Sequence, residues 1–125
     1  MILGIGTDLM DKKRISIQTL KEGDPFMERS FSPAERREAA ARQDPRSYLA
    51  GRFAGKEAVF KAFGRNIPHA RFCEIEILND ENGAPFVLLY GYTEQAAMEL
   101  GVSRIHVSLS EEKEYCAAFA VLEGE

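Results

Sequence analysis

The sequence lacks the features that mark secreted, membrane-spanning or repetitive proteins. Its 2 cysteines, Cys73 and Cys116, do not have the C-x-x-C spacing of zinc and redox sites. No apolar run approaches the roughly 20 residues that a membrane-spanning helix needs. The opening MILGIGTDL has neither the basic segment nor the cleavage site of a secretory signal, and repeats and low-complexity tracts are missing. We therefore expect one cytoplasmic domain, residues 1–125, with both thiols packed inside.

The net charge is small, but the charges are unevenly distributed. The chain carries 20 acidic and 16 basic side chains, for a formal net charge of -4, which argues against a nucleic-acid-binding protein. Residues 1–65 hold 13 basic and 9 acidic side chains, a balance of +4, whereas residues 66–125 hold 3 and 11, a balance of -8. The basic half therefore indicates a surface for an anionic partner.

The hydrophobic pattern predicts an α+β domain in which an antiparallel sheet packs against helices. Alternation with a period of two predicts strands near residues 2–9, 72–77, 86–90, 105–110 and 115–121. Helical spacing predicts helices near residues 11–20, 46–64 and 93–100. A further helix should begin at Ser32-Pro33-Ala34-Glu35, which has the residues of a capping box, and should run to about Gln43.

The first strand places two glycines and a carboxylate together. Gly4, Gly6 and Asp8 share one face, because side chains alternate along a strand. Two positions without side chains leave room for a close approach beside Asp8. The alternative is that a helix packs tightly over the glycines and Asp8 only caps the strand end.

The longest predicted helix carries the densest set of candidate site residues. Glu57 and Lys61 are four residues apart and so share a helix face. Taken alone, such a pair indicates a solvated ion pair worth about 0.2–0.5 kcal/mol. Small residues recur every four positions from Ala50 to Ala62, and Phe53 lies one turn before Glu57. This apolar frame favours a site over a solvated face.

The strand and the helix together offer a minimal site for chemistry on a diphosphate. Asp8 and Glu57 are oxygen ligands of the kind that Mg²⁺ takes, usually one or two carboxylates with waters and substrate phosphates. Lys61, one turn from Glu57, is placed to neutralise a phosphate that bridges to the metal.

These motifs resemble those of the holo-acyl-carrier-protein synthases, the small 4′-phosphopantetheinyl transferases. The resemblance runs from end to end, in chain order. It rests on residues 4–9 and 14–15, 49–58 and 61–64, 75–77 and 82–85, and 107–110 and 113–115. The central motif, LAGRFAGKEA, is the most specific of them.

The resemblance implies a 4′-phosphopantetheinyl transferase fold and an enzyme of fatty acid biosynthesis. The family moves phosphopantetheine from coenzyme A to a serine of apo-acyl carrier protein and releases 3′,5′-ADP. Asp8 and Glu57 would be the Mg²⁺ ligands and, with Lys61, the catalytic residues. Either Glu57 or a water on the metal would accept the serine proton. Lys61, Arg52 and Ser110 are the expected coenzyme A contacts.

The resemblance also implies partners. The family assembles as homotrimers with active sites between subunits, and no nucleic acid or membrane is expected. Acyl carrier proteins are acidic, and Arg14 matches a family position that contacts the carrier. Lys12 and Lys13 extend that cationic surface on charge alone. We also expect Lys56, together with Arg52, to offer positive charge to an anionic partner.

One position departs from the family pattern. Members commonly carry a histidine just after the Ser-x-Ser strand, where it helps to hold coenzyme A, and this chain has Glu111. A carboxylate cannot donate to a phosphate and repels it. His106, earlier in the strand, is interpreted as a packed or surface residue. Two alternatives stay open: a carrier-binding module without transfer chemistry, and a transferase for a secondary-metabolite carrier domain.

Overall fold

The computed structural model describes residues 1–16, 20–21 and 23–125. The strands and helices of this part of the chain are, in order, β1 (Ile2–Asp11), α1 (Pro25–Ser30), α2 (Pro33–Ala40), α3 (Pro45–Phe63), β2 (Ile75–Asn79), β3 (Pro85–Leu89), α4 (Gly91–Glu99), β4 (Val102–Glu111) and β5 (Tyr115–Gly124). Short 3₁₀ turns at Lys12–Arg14 and Phe72–Glu74 precede the helical region and β2. Within the described ranges, no helix combines the length and the apolar character that crossing a bilayer requires.

The strands form two antiparallel sheets. One has the order β1-β5-β4, and the other is the hairpin β2-β3. The long helix α3 packs across the first sheet and is in contact with all three of its strands. The predicted α+β class with an antiparallel sheet against helices is therefore confirmed, and α3 is the central element of the core.

Side-chain capping explains where α2 and α3 begin. Ser32 Oγ accepts the Glu35 N–H and the Glu35 carboxylate accepts the Ser32 N–H, which is the predicted capping box of α2. The helix ends at Ala40 rather than near Gln43. The helix ends earlier because Asp44 must lie outside it in a non-helical conformation. From there the Asp44 carboxylate caps α3 by accepting the Ser47 N–H.

The predicted helix over residues 11–20 is wrong at its start. Asp11 is the last residue of β1, paired with Tyr115, and its carboxylate accepts the Lys13 N–H at 2.9 Å. One 3₁₀ turn follows before the chain extends again at Ile15. Residues 17–19 lie outside the described residues. Strand pairing therefore competes successfully with the helical spacing of this segment.

Two further differences have simple causes. Residues 72–74 form a 3₁₀ turn, so the predicted strand begins only at Ile75. The short helix α1 has no counterpart among the predictions, although Asp24-Pro25 repeats the cap signature of Asp44-Pro45. Of the two thiols, Cys116 is buried and Cys73 is half-buried, and both are free.

Candidate functional site

The glycines of β1 let the backbone of α3 lie directly against the strand. A Cβ at Gly6 would overlap the carbonyl oxygen of Ala58 and lie 2.7 Å from the Ala62 nitrogen. A Cβ at Gly4 would overlap the carbonyl oxygen of Ala62 in the same way. The close approach predicted from these glycines is therefore made by a helix. Asp8, the next residue on that strand face, is brought beside α3.

Lys61 joins Asp8 across this contact. Its Nζ donates to Asp8 Oδ1 at 3.0 Å and to the Thr7 carbonyl oxygen at 3.2 Å. The Lys61 side chain is 52% exposed and the Asp8 side chain 14% exposed. The ion pair is open to solvent on the lysine side, so a ligand can reach the ammonium group.

Glu57 faces the same ion pair. Partial burial raises the pKa of Glu57, and the Asp8 carboxylate raises it further, whereas Lys61 and Arg14 oppose the shift. Two carboxylates and two cations thus interact at one place, and the first three predicted residues, Asp8, Glu57 and Lys61, are brought together. The repulsion between the carboxylates is the feature that a bound cation would relieve.

The donor chemistry of this cluster fits Mg²⁺. No group of three or more metal-ligating side chains occurs among the described residues. A magnesium site needs fewer, because Mg²⁺ keeps several waters and is completed by substrate phosphates. Asp8 and Glu57 supply hard oxygen ligands without cysteine or histidine, which is the ligand type that magnesium prefers.

A cavity of about 600 Å³ lies along another part of α3. Its wall includes Tyr48, Arg52, Asn79, Ser110, Glu111 and Cys116. Asp8, Glu57 and Lys61 do not line it. The predicted site residues therefore divide into a charged cluster and a separate polar cavity.

Arg52 forms a fixed part of the cavity wall. Its guanidinium donates to Asn79 Oδ1 at 2.9 Å and to the Ile77 carbonyl at 3.3 Å, and it stacks 4.4 Å from the Tyr48 ring centroid. Its Nε is buried and finds no acceptor among the described residues. Because these contacts hold the group in place, Arg52 presents a preorganised positive charge at the cavity.

Glu111 is paired with a cation rather than isolated. Lys12 Nζ lies 3.0 Å from Glu111 Oε2, so the negative charge that departs from the family pattern is compensated. Lys13 and Arg14, the other members of the basic segment, are exposed. His106 is an exposed strand residue bonded to Glu123 at 2.8 Å, in agreement with its predicted surface role.

The expectation that Lys56 serves an anionic partner is wrong. Its side chain is fully buried, with Nζ 2.7 Å from Glu35 Oε1. The ammonium also donates to the carbonyls of Phe72 and Ile75. The sequence signal that was missed is Glu35 itself, a capping-box glutamate whose second oxygen also accepts the Ile77 N–H at 2.8 Å.

Comparison with known proteins agrees with the resemblance in the motifs. A family model for the 4′-phosphopantetheinyl transferase superfamily matches residues 4–120. The chain is 40% identical to a holo-[acyl-carrier-protein] synthase of Serratia proteamaculans over 124 residues, 98% of each chain. It is 37% identical to the synthase of Halothermothrix orenii over 121 residues, 97% of each chain.

Solved structures extend the likeness to three dimensions. The synthase of Neisseria meningitidis superposes with a TM-score of 0.88 at 40% identity, covering 98% of this chain and 99% of the other. A synthase from Bacillus anthracis in complex with CoA (3′,5′-ADP) gives a TM-score of 0.80 at 34% identity, covering 100% and 99%. With its motifs, its fold and these relatives in agreement, the chain belongs to the 4′-phosphopantetheinyl transferase superfamily.

Proposed function

We propose that this protein is a holo-acyl-carrier-protein synthase of fatty acid biosynthesis. It transfers 4′-phosphopantetheine from coenzyme A to a serine of apo-acyl carrier protein and releases 3′,5′-ADP. The observation that carries the proposal is the cluster of Asp8, Glu57 and Lys61 where β1 meets α3. The two free thiols are in keeping with a cytoplasmic enzyme.

Either Glu57 or a water on the metal ion is the proposed proton acceptor. A serine hydroxyl is a weak nucleophile at neutral pH and needs a base within reach. Burial and the Asp8 charge raise the pKa of Glu57, and a bound cation would offset both effects. Asp8 has a second proposed role, since its hydrogen bond with Nζ holds the Lys61 ammonium in the cluster, where the reacting phosphate would bind.

Asp8 and Glu57 would hold the Mg²⁺ ion. When bound, the ion would neutralise the negative charge that develops on the diphosphate. Lys61 is the protein's own counter-charge there. Because its side chain is 52% exposed, the ammonium can donate to a phosphate oxygen while keeping its hydrogen bond to Asp8.

The remaining predicted contacts divide between the two substrates. Arg52 and Ser110 in the cavity are proposed to bind coenzyme A, with the guanidinium already fixed by Asn79 and Tyr48. The exposed side chains of Lys13 and Arg14 are proposed to face the acidic carrier. Because Glu111 is neutralised by Lys12, it does not by itself favour a carrier-binding module without transfer chemistry.

A homotrimer with sites between subunits is part of the proposal. The outer face of the three-stranded sheet, opposite α3, carries Ile5, Leu9 and Phe119, which are 61%, 69% and 46% exposed. Contiguous exposed apolar surface on a soluble domain commonly marks an interface. Light scattering should give three times the chain mass of 14.0 kDa, and Leu9→Lys should lower that mass.

The decisive experiment is a mass-shift assay. Apo-acyl carrier protein mixed with this protein, coenzyme A and Mg²⁺ should gain the mass of one phosphopantetheine. Asp8→Ala and Glu57→Ala should abolish the gain, whereas Glu38→Ala, an exposed carboxylate on α2, should not. No gain at high enzyme, beside an active family member as positive control, would refute the proposal. Activity retained in both site variants would refute the metal site.

A further inference from the structure

The basic residue just after β1 does not line the cavity itself but is paired with a residue of the cavity wall. Lys12 Nζ is held 3.0 Å from Glu111 Oε2, and Glu111 is part of the cavity wall. The Lys12 side chain is only 15% exposed, whereas that of Glu111 is 61% exposed. Lys12 is therefore packed against the protein beside Glu111, unlike the exposed Lys13.

The charge of Lys12 also reaches two other wall residues. The pKa of Asp44 is lowered chiefly by the Ser47 backbone N–H, and Lys12 lowers it further. Burial raises the pKa of Cys116, and Lys12 opposes that shift. Three residues of the same wall thus interact with one ammonium group.

The backbone fixes where this ammonium can lie. The Lys12 N–H donates to the Glu114 carbonyl at 2.9 Å, which ties the end of β1 to the turn between β4 and β5. Asp11 caps the same 3₁₀ turn through the Lys13 N–H. Lys12 is thus anchored at both its backbone and its ammonium, as expected of a preorganised ligand contact.

We propose that Lys12 donates to a phosphate group bound in this cavity, and that Glu111 is the positioning residue for its ammonium. An ammonium group has three N–H bonds, and Glu111 is its one side-chain acceptor among the described residues. A phosphate oxygen is a suitable acceptor for another. The inference rests on the proposed function in taking that phosphate to be one of coenzyme A, and it assigns Lys12 to the cofactor rather than to the carrier.

Calorimetric titration with coenzyme A tests the contact. Lys12→Met should weaken binding about tenfold, the usual size of one charge-assisted hydrogen bond. Lys113→Met, which removes the same charge from the neighbouring turn, should change binding by less than about twofold. Lys12→Arg, which keeps the cation, should stay within about threefold of the wild type. Equal effects of Lys12→Met and Lys113→Met would overturn the proposal.

A second comparison separates direct contact from mere neutralisation of Glu111. Glu111→Gln keeps an acceptor for the ammonium and removes the repulsive charge, so it should tighten binding about threefold. Adding Lys12→Met to Glu111→Gln should still weaken binding about tenfold if Lys12 touches the phosphate. No loss in that double variant would overturn the direct contact. Melting curves establish that each variant is folded.

Kinetics of the transfer reaction distinguish a failure of this inference from a failure of the proposed function. Lys12→Met should raise KM for coenzyme A and leave KM for the carrier unchanged. A wild-type protein that transfers phosphopantetheine while Lys12→Met affects only the carrier KM would overturn the role of Lys12 alone. A wild-type protein that neither binds coenzyme A nor transfers phosphopantetheine would overturn both the role of Lys12 and the proposed function.

Discussion

Two lysines on α3, five residues apart, show how burial changes what the same ion pair does. Lys56 and Glu35 are both fully buried, and backbone groups of neighbouring elements complete their hydrogen bonds. Lys61 and Asp8 form a pair of nearly the same kind, but the lysine is half exposed. Five residues turn an α-helix by about 140°, so the two lysines point to different surroundings.

The difference separates a structural ion pair from one that belongs to the proposed site. The buried pair joins the first turn of α2 to α3 and to β2, and it leaves no donor free for a ligand. The open pair keeps donors within reach of solvent, beside a second carboxylate whose pKa is raised. Both pairs join a lysine of α3 to a carboxylate on another element, and they differ in how exposed the lysine is to solvent.

The largest expected effect comes from breaking the buried pair. Glu35→Ala leaves the Lys56 ammonium buried without its counter-charge, which typically costs about 3–5 kcal/mol of unfolding free energy. Glu38→Ala on the same helix, which removes the exposed pair with Arg42, should cost no more than about 0.5 kcal/mol. Urea unfolding measures both. Similar losses for the two variants would contradict the contrast between buried and open pairs.

Breaking the open pair should act on catalysis instead of stability. Lys61→Met should lower kcat/KM for transfer about 100-fold, because the charge proposed to stabilise the reacting phosphate is lost. Its free energy of unfolding should change by less than about 1 kcal/mol, since the side chain is half exposed. Steady-state kinetics and urea unfolding of one preparation check both. A destabilised but fully active variant would reverse the assignment.

A change in β1 should disturb the open pair while leaving the buried one in place. Gly6→Ala sets a Cβ against the Ala58 carbonyl and forces β1 away from α3. Overpacking of this kind typically costs about 1–3 kcal/mol. The control is Gly51→Ala, where a Cβ meets nothing within 4 Å inside α3 and should stabilise the helix by about 0.5–1 kcal/mol. Unchanged stability in Gly6→Ala would contradict the close packing.

The smallest expected effect is the response of the two pairs to salt. The coupling energy between Asp8 and Lys61, from a double-mutant cycle, should be below about 1 kcal/mol and should fall as salt rises toward about 1 M. The coupling between Glu35 and Lys56 should hardly change, because salt ions do not reach it. Equal salt dependence of the two coupling energies would show that the buried pair is hydrated.

Much of the fold could be predicted because its signals are local. The capping box at Ser32 and the small-residue stripe of α3 depend on neighbours within a few positions. The segment after β1 was predicted as a helix because its long-range partners, Tyr115 and Glu114, are invisible to local spacing. Asp8, Glu57 and Lys61 were proposed as one site from their residue types, and the fold brings them together.

The sequence alone determined the class of fold and the choice of candidate carboxylates, because both follow from residue type and short spacing, and the order of its motifs indicated the family. Only the tertiary structure decided which lysine is sealed in the core and which is open, and that Glu111 meets Lys12 from the far end of the chain. Burial and pairing across strands depend on how separate elements pack. The role of a charged side chain depends on its burial and on its partners, which the fold sets.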